Sequence, residues 1–466
     1  MSKWKIKKYE EYYDPELSDI TDIDKEKNYE IKKEKKSNET ITIFDTEIQI
    51  KPDNELKEET KQDDNNKKEK ESASSNSSSP PFSDSSTNHY PYSINEIING
   101  KYRILKHISN GTFGSVFKCE NIISQELCAM KIISPCDKNF ESAEIEAKLT
   151  QKITEEDKKN QSHCVKIFDH FKFSKDNIDY YAIVIELLGL SLYEYLKNNS
   201  YNGYTMSQIQ DIAYQTFEGI AFLHKIKMIH TDLKPENILL VDSDYDGINK
   251  FDEIPLNIAL RNDSHSRNAS TISTNISKCS KEKVLYKKLK NSEIKIIDFG
   301  SAVEFHERGS GVICTRQYRP PEVILDCCQW DEKSDVWAIG CILVELYTGE
   351  LLFPTYNNQE QLCLIEKTCG HYPNWMIKNT RNENIKGLFV DCKRHKTDKV
   401  LDLKRCSKYD DVKKALANQR TIEESICPKH GEFGKFLQYL LKIDPKRRPS
   451  ASDALKHHFF RTKFVD

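Results

Sequence analysis

From Tyr102 onward the apolar positions fall into two periods, and the order in which those periods alternate predicts the elements. Tyr102–Ile108, Glu126–Ile133, Val165–Phe173 and Tyr181–Ile185 are short runs with strand character. Phe140–Ile153 carries the helical period. So does a stretch of about 206 to 225, with Ile209, Ile212, Ala213, Ile220 and Leu223 on one stripe. Ser334–Glu345 is apolar on nearly every face, which predicts a helix in the middle of a packed domain. Before Tyr102 periodicity fails. Residues 1 to 95 alternate Lys, Glu, Asp and Asn and then run into Ser at 72 to 87, which predicts a disordered tail with too little apolar surface to offset its chain entropy. One island there, Ile41–Ile50, alternates at strand period and reads as a docking strand or, preferably, as a chance apolar patch. Residues 241–293, rich in Ser, Asn, Asp and Lys, break the pattern again and predict a surface insertion.

Charge and cysteine usage sharpen this division. The first 99 residues hold 16 Lys, no Arg and 23 acidic residues, a net of −7 in a chain whose total is −3, so the acidity lies in the tail. Lys5–Lys8 and Lys32–Lys36 read equally as nuclear-import signals or as solvated charge runs, since acids interrupt or flank both. The 14 cysteines are scattered, apart from Cys327 and Cys328, with no C-x-x-C. Together with an opening that has no secretory apolar region, this predicts reduced thiols in an intracellular protein. The longest apolar run, Ala182–Leu192, carries Glu186 and is about half of a membrane span, so no membrane association is expected.

Six separated stretches resemble, in order, the motifs of protein kinases. They are S-N-G-T-F-G-S-V at 109–116, A-M-K at 129–131, H-T-D-L-K-P-E-N at 230–237, D-F-G at 298–300, T-R-Q-Y-R-P-P-E at 315–322 and D-P-K-R-R-P at 444–449. The resemblance implies an α+β, bilobal protein-kinase fold with a small β-rich N-lobe (100–187) containing one helix and a larger helical C-lobe (188–462). Insertions would lie at 241–293 and 371–430. It implies ATP and Mg2+ as cofactors. The ATP-binding positions are then Ile108, Ser109, Asn110, Gly111, Thr112, Phe113, Gly114, Ser115 and Val116 in the Gly-rich loop, Ala129 and Lys131 on the next strand, and Glu186 and Leu188 at the hinge. Ser109 replaces the first Gly of the loop pattern and should stiffen its tip. Lys131 needs a carboxylate partner: Glu146 is chosen because Leu149 and Ile153 follow it at i+3 and i+7 on one stripe, with Glu144 as the alternative. In the resemblance Asp232 accepts the substrate hydroxyl proton, Lys234 neutralises charge on the phosphoryl group, and Asn237 and Asp298 hold metal. Thr315 would bridge Asp232 and Lys234, and Glu322 would pair with Arg448. Arg316 and Arg319 would anchor the activation segment, and Glu236 would face a basic substrate. Thr231 stands where most kinases have an Arg that clamps a loop phosphate, so activity without that phosphate is expected.

Finer features narrow the resemblance. H-T-D-L-K-P-E-N, E-L-L-G-L-S at 186–191, T-R-Q-Y-R-P-P-E and E-Q-L-C-L-I-E-K-T-C-G at 360–370 resemble the LAMMER, or CDC-like, kinases of the CMGC group. Against the name motif E-H-L-A-M-M-E-R-I-L-G, Glu360, Leu362, Glu366 and Gly370 are retained and Lys367 replaces Arg. The family implies dual-specificity autophosphorylation and phosphorylation of Ser in Arg/Ser-rich splicing factors, by a monomer that does not itself bind nucleic acid. It also suggests a nuclear location, which the Arg-free tail leaves open against the cytoplasm. Two alternatives stand beside it. Other SR-protein kinases usually carry a long spacer at the hinge, for which residues 186–205 leave no room. A pseudokinase scaffold would have no use for Lys131, Asp232, Asn237 and Asp298 together.

Overall fold

The computed structural model describes residues 89–111, 114–135, 137–248, 286–309, 311–391 and 399–464. Strands β1 (Ile97–Ile98), β2 (Tyr102–Gly111), β3 (Gly114–Asn121), β4 (Leu127–Ile133), β5 (Ile167–Lys175) and β6 (Ile178–Glu186) form one antiparallel sheet in the order β1-β2-β3-β4-β6-β5. Its strand alternation is genuine. Tyr102, Ile104, Phe117, Cys119, Met130, Ile132, Ala182 and Val184 fill one face, whereas Ile133, Tyr181 and Ile183 face helix α1 (Asp137–Glu156). Ala143 and Ala147 let α1 approach the sheet closely.

The larger lobe is built around two long helices. After α2 (Leu192–Asn198) comes α3 (Met206–Lys225), which begins at a capping box in which Thr205 and Gln208 satisfy each other's backbone N–H groups. Its buried stripe includes Ile209, Ile212, Ala213, Ile220 and Leu223. Helix α4 (Pro321–Leu325) leads to α5 (Lys333–Thr348), in which every residue from Ser334 to Tyr347 is buried. A Cβ on Gly340 would come within 2.8 Å of Leu441, so the close packing of α5 depends on that glycine. Helix α6 (Asn358–Cys369) carries the E-Q-L-C-L-I-E-K-T-C-G stretch and packs against the activation segment. This is the mixed α+β fold with a curled sheet in the small lobe and helices in the large one.

One boundary differs from the sequence reading. The packed domain includes residues before Tyr102: Tyr90 is buried against Phe117, Phe173 and Tyr180, and β1 adds a strand, because a few well-placed aromatic and aliphatic side chains suffice where mean composition is polar. The described ends of the insertion 241–293 are tied to the large lobe and to each other. Tyr245–Ile248 pairs with Tyr286–Leu289, Tyr195 donates to the Lys287 carbonyl, and Asn199 exchanges hydrogen bonds of 3.0 and 2.9 Å with the same residue. Residues 371–391 and 399–430 are largely short helices, with one two-stranded hairpin joining Phe389–Asp391 to Lys399–Leu401. The Ile41–Ile50 island and both lysine clusters lie outside the described residues. Among those described, no helix is long and apolar enough to cross a membrane, and all the cysteines are free thiols.

Candidate active site

Strand β4 carries Lys131 to the cleft, where its Nζ lies 2.9 and 2.7 Å from the two carboxylate oxygens of Glu146 on α1. Burial pulls this ammonium toward neutrality, but Glu146 and Asp298 more than compensate and raise its pKa. Glu144 turns outward to Lys148 and Lys172. The stripe that guided the choice of Glu146 is drawn differently in the structure: Ala143, Ala147, Thr150 and Ile153 are buried, while Leu149 is only partly so.

Above Lys131, Ile108, Ser109, Asn110 and Gly111 lie on β2 and Gly114, Ser115 and Val116 on β3, with Ala129 buried on β4. Thr112 and Phe113 fall outside the described residues. Gly114 is required for a reason that sequence did not reveal: a Cβ there would sit 2.1 Å from the Ile132 carbonyl of the adjoining strand. At the hinge, the Glu186 N–H is already donated to the Lys166 carbonyl at 3.1 Å, and its side chain accepts from the Lys166 N–H at 2.7 Å. The Glu186 N–H is thus taken up within the sheet edge, and Leu188 follows just after the strand.

The H-T-D-L-K-P-E-N loop brings three groups together. Asp232 Oδ1 accepts from the Thr315 N–H at 2.9 Å and its hydroxyl at 2.7 Å, while Oδ2 accepts from Lys234 Nζ at 2.7 Å. Lys234 Nζ also reaches the Thr315 oxygen at 3.3 Å. Burial pushes Asp232 up, but Lys234 and Thr315 outweigh it and hold the carboxyl below the usual range. It is therefore ionised at neutral pH. Asn237 donates from Nδ2 to the Asp232 carbonyl at 3.0 Å, which leaves its carboxamide oxygen for a cation. Asp298 is exposed toward the same cleft, and its charge is felt by both Lys131 and Lys234.

This loop is held by residues that the sequence reading did not single out. Asp335, fully buried at the start of α5, accepts from the backbone N–H groups of His230 and Thr231, both at 3.0 Å, and contacts His224 Nε2 at 2.9 Å. Those bonds hold Thr231 at φ 67°, a conformation costly for a β-branched residue. No local signal marks Asp335, since its partners lie more than 100 residues away in sequence.

The activation segment is anchored at several points. Arg319 donates to the carbonyls of Ile313 and Cys314 at 3.0 Å, and Arg316 donates to Asn358 at 2.7 Å. Arg448 forms a two-pronged pair with Glu322 at 2.7 and 2.8 Å. Lys152 on α1 meets Glu304 at 2.5 Å, and the Tyr318 hydroxyl donates to Glu345 at 2.7 Å.

The protein kinase domain family profile matches residues 102–460. The serine/threonine-protein kinase AFC2 of Arabidopsis thaliana is 34% identical over 81% of this chain and 81% of its own length. The dual specificity protein kinase CLK2 of Homo sapiens is 32% identical over 81% of this chain and 67% of its own. The chain belongs to the LAMMER, or CDC-like, protein kinases. Its fold matches a crystallised kinase domain with a TM-score of 0.66 at 30% identity, covering 80% of this chain and 99% of that one. In this kinase the E-Q-L-C-L-I-E-K-T-C-G helix acts on the activation segment: Gln361 donates to the Arg316 carbonyl at 2.6 Å.

Proposed function

We propose that this kinase transfers the γ-phosphate of ATP, with Mg2+, to Ser and Thr of protein substrates and to its own Tyr, and that Arg/Ser-rich splicing factors in the nucleus are among those substrates. The observation that carries the Ser/Thr reading is the Asp232–Lys234–Thr315 triangle, which gives an ionised base beside a fixed ammonium. The donor set of Asp298 and Asn237 suits Mg2+: two hard oxygens do not make a cage, and Mg2+ keeps water and phosphate ligands. When bound, the metal would neutralise phosphate charge. Lys131, fixed by Glu146, aligns the phosphates, Lys234 offsets charge on the transferring group, and Asp232 takes the hydroxyl proton at its carboxylate.

Preference for Arg near the acceptor is supported by Glu236 and by a buried carboxylate near it, Glu345. Glu236 is exposed beside Lys234, and Glu345 lies close enough for the two charges to act on each other. Burial pushes Glu345 up to about 7, the Tyr318 hydrogen bond opposing and the Glu236 charge adding. Glu345 is thus charged above about pH 7 and neutral below it, so the negative field at Glu236 grows as pH rises through 7. Replacing Arg by Ala around an acceptor Ser on a peptide array should reduce phosphorylation about tenfold at pH 8, roughly 1.4 kcal/mol, and less at pH 6. Equal labelling of the Arg and Ala series at both pH values would sink the proposal.

The same reading extends to control of the loop. Thr231 carries no charge to bind a phosphate. Instead its hydroxyl donates to the Ser301 carbonyl at 2.6 Å, its carbonyl accepts from the Cys314 N–H at 2.9 Å, and the Lys152–Glu304 pair links the segment to α1. Of the loop hydroxyls, Ser301 and Thr315 are described and Ser310 is not. Phosphatase-treated enzyme, shown by mass spectrometry to have a bare loop, should keep turnover within about threefold of untreated enzyme. A hundredfold fall, about 2.7 kcal/mol of barrier, would reveal a phosphate clamp.

A further inference from the structure

The segment that precedes the first long strand does more than extend the sheet. Tyr90 is its anchor: the ring meets Tyr180 edge-on at 4.8 Å, Lys175 Nζ lies 4.8 Å from its centre, and its hydroxyl donates to Glu96 at 2.8 Å. Lys175 also donates to the Pro91 carbonyl at 2.5 Å and to Glu96 at 2.7 Å, while Glu96 accepts from the Ser93 N–H at 3.0 Å. Downstream, the Asn95 N–H donates to the Ile104 carbonyl and the Ile104 N–H to the Glu96 carbonyl, at 2.8 and 2.9 Å. The segment is therefore fixed at both ends.

Between and beside these anchors it touches both shoulders of the Gly-rich loop. Tyr92 stacks on His107, with ring centres 5.6 Å apart and planes 14° from parallel, and packs on Phe117 at 4.8 Å. His107 Nε2 lies 2.9 Å from Asn110 Oδ1, which also accepts from the Ser115 hydroxyl at 2.8 Å. His89 Nδ1 closes the ring of contacts at 3.4 Å from that hydroxyl. Asn110 and Ser115 oppose each other across the loop, directly before the Gly111–Gly114 turn. Tyr92 is half-exposed, so its ring covers the loop shoulder at His107 while only its inner edge meets the core at Phe117.

We propose that the strap from His89 to Ile98 sets the conformation of the nucleotide loop, with Tyr92 and His89 as positioning residues acting through His107, Asn110 and Ser115. This rests on the reading of that loop as the ATP-phosphate cover. Through these contacts a change at residues 89–92 would reach the loop directly.

The test compares the full-length chain with its Tyr92→Ala, Tyr92→Phe and His89→Ala variants. Tyr92→Ala should raise KM for ATP about fivefold with kcat within about twofold, a split that a general loss of stability does not produce. Tyr92→Phe keeps the stacked ring and should behave as wild type, and His89→Ala should show a smaller rise. In nucleotide-free protein, Tyr92→Ala should speed backbone hydrogen exchange at 107–116 while leaving strands β5 and β6 unchanged. Unchanged exchange at 107–116, or an equal loss in Tyr92→Phe and Tyr92→Ala, would overturn the proposal. The exchange arm needs no nucleotide, so it decides the strap's hold on the loop even if the loop did not bind ATP.

Discussion

Replacing Asp232 by Asn is expected to lower phosphotransfer by about 10²–10⁴-fold, the range for loss of a positioned general base, while leaving ATP affinity within a few-fold of wild type. The geometry gives the reason. Asp232 presents one oxygen to Thr315 and the other to Lys234, so in the proposed role its carboxylate would take the hydroxyl proton while its charge holds Lys234 in place. An Asn side chain keeps the shape and can still accept from Thr315. It has no charge to take a proton, and turning its NH2 toward Lys234 sets donor against donor. In the proposed reading the nucleotide is held by other residues, chiefly Lys131 paired with Glu146, and these are untouched. Peptide turnover and nucleotide titration on the same preparation separate the two effects. Retention of more than about a tenth of wild-type turnover, against the hundredfold floor of that range, would remove Asp232 from the base role.

The parts of this site that could be read in advance are those written contiguously in the chain. His230 to Asn237 lie on one loop, so their spacing alone brings Asp232, Lys234 and Asn237 together. Asp335 is the contrary case. It holds the same loop from below, but nothing in Ser334–Glu345 distinguishes a buried carboxylate that accepts three hydrogen bonds from an ordinary first-turn acid of a helix. Glu345 is hidden in the same way, because its raised pKa depends on burial and on Tyr318, and neither has a sequence period. Tyr90 was lost for a different reason. A composition argument averages over tens of residues, and one aromatic ring seated between Phe173 and Tyr180 outweighs a polar neighbourhood. Gly114 has a structural reason that the motif does not show, since the neighbouring strand forbids a side chain there.

Arg448→Met is expected to destabilise the kinase by about 3–5 kcal/mol, the usual cost of leaving one member of a buried ion pair behind. Arg448 and Glu322 are almost completely excluded from solvent, with side-chain exposures of 0% and 1%. Beyond the two bonds to Glu322, the guanidinium donates to the carbonyls of Lys442 at 3.1 Å and Lys333 at 2.9 Å, and it lies 5.1 Å from the centre of the Trp337 ring. Methionine can fill much of that volume but supplies none of the donors. Glu322 would then be a buried carboxylate without a partner at the end of the activation segment, so loosening should spread to Tyr318 and Thr315. Denaturant unfolding of Arg448→Met and of the double variant Glu322→Gln/Arg448→Met distinguishes the two sources of the loss. If the stranded charge dominates, the double variant recovers more than half of the stability, because an amide is far less costly to bury than a carboxylate. Turnover in both variants should still fall, since neither restores the tie between the segment and the carbonyls of Lys333 and Lys442. A single variant within about 1 kcal/mol of wild type would mean that the segment is pinned elsewhere, a loss below the range for a broken buried pair.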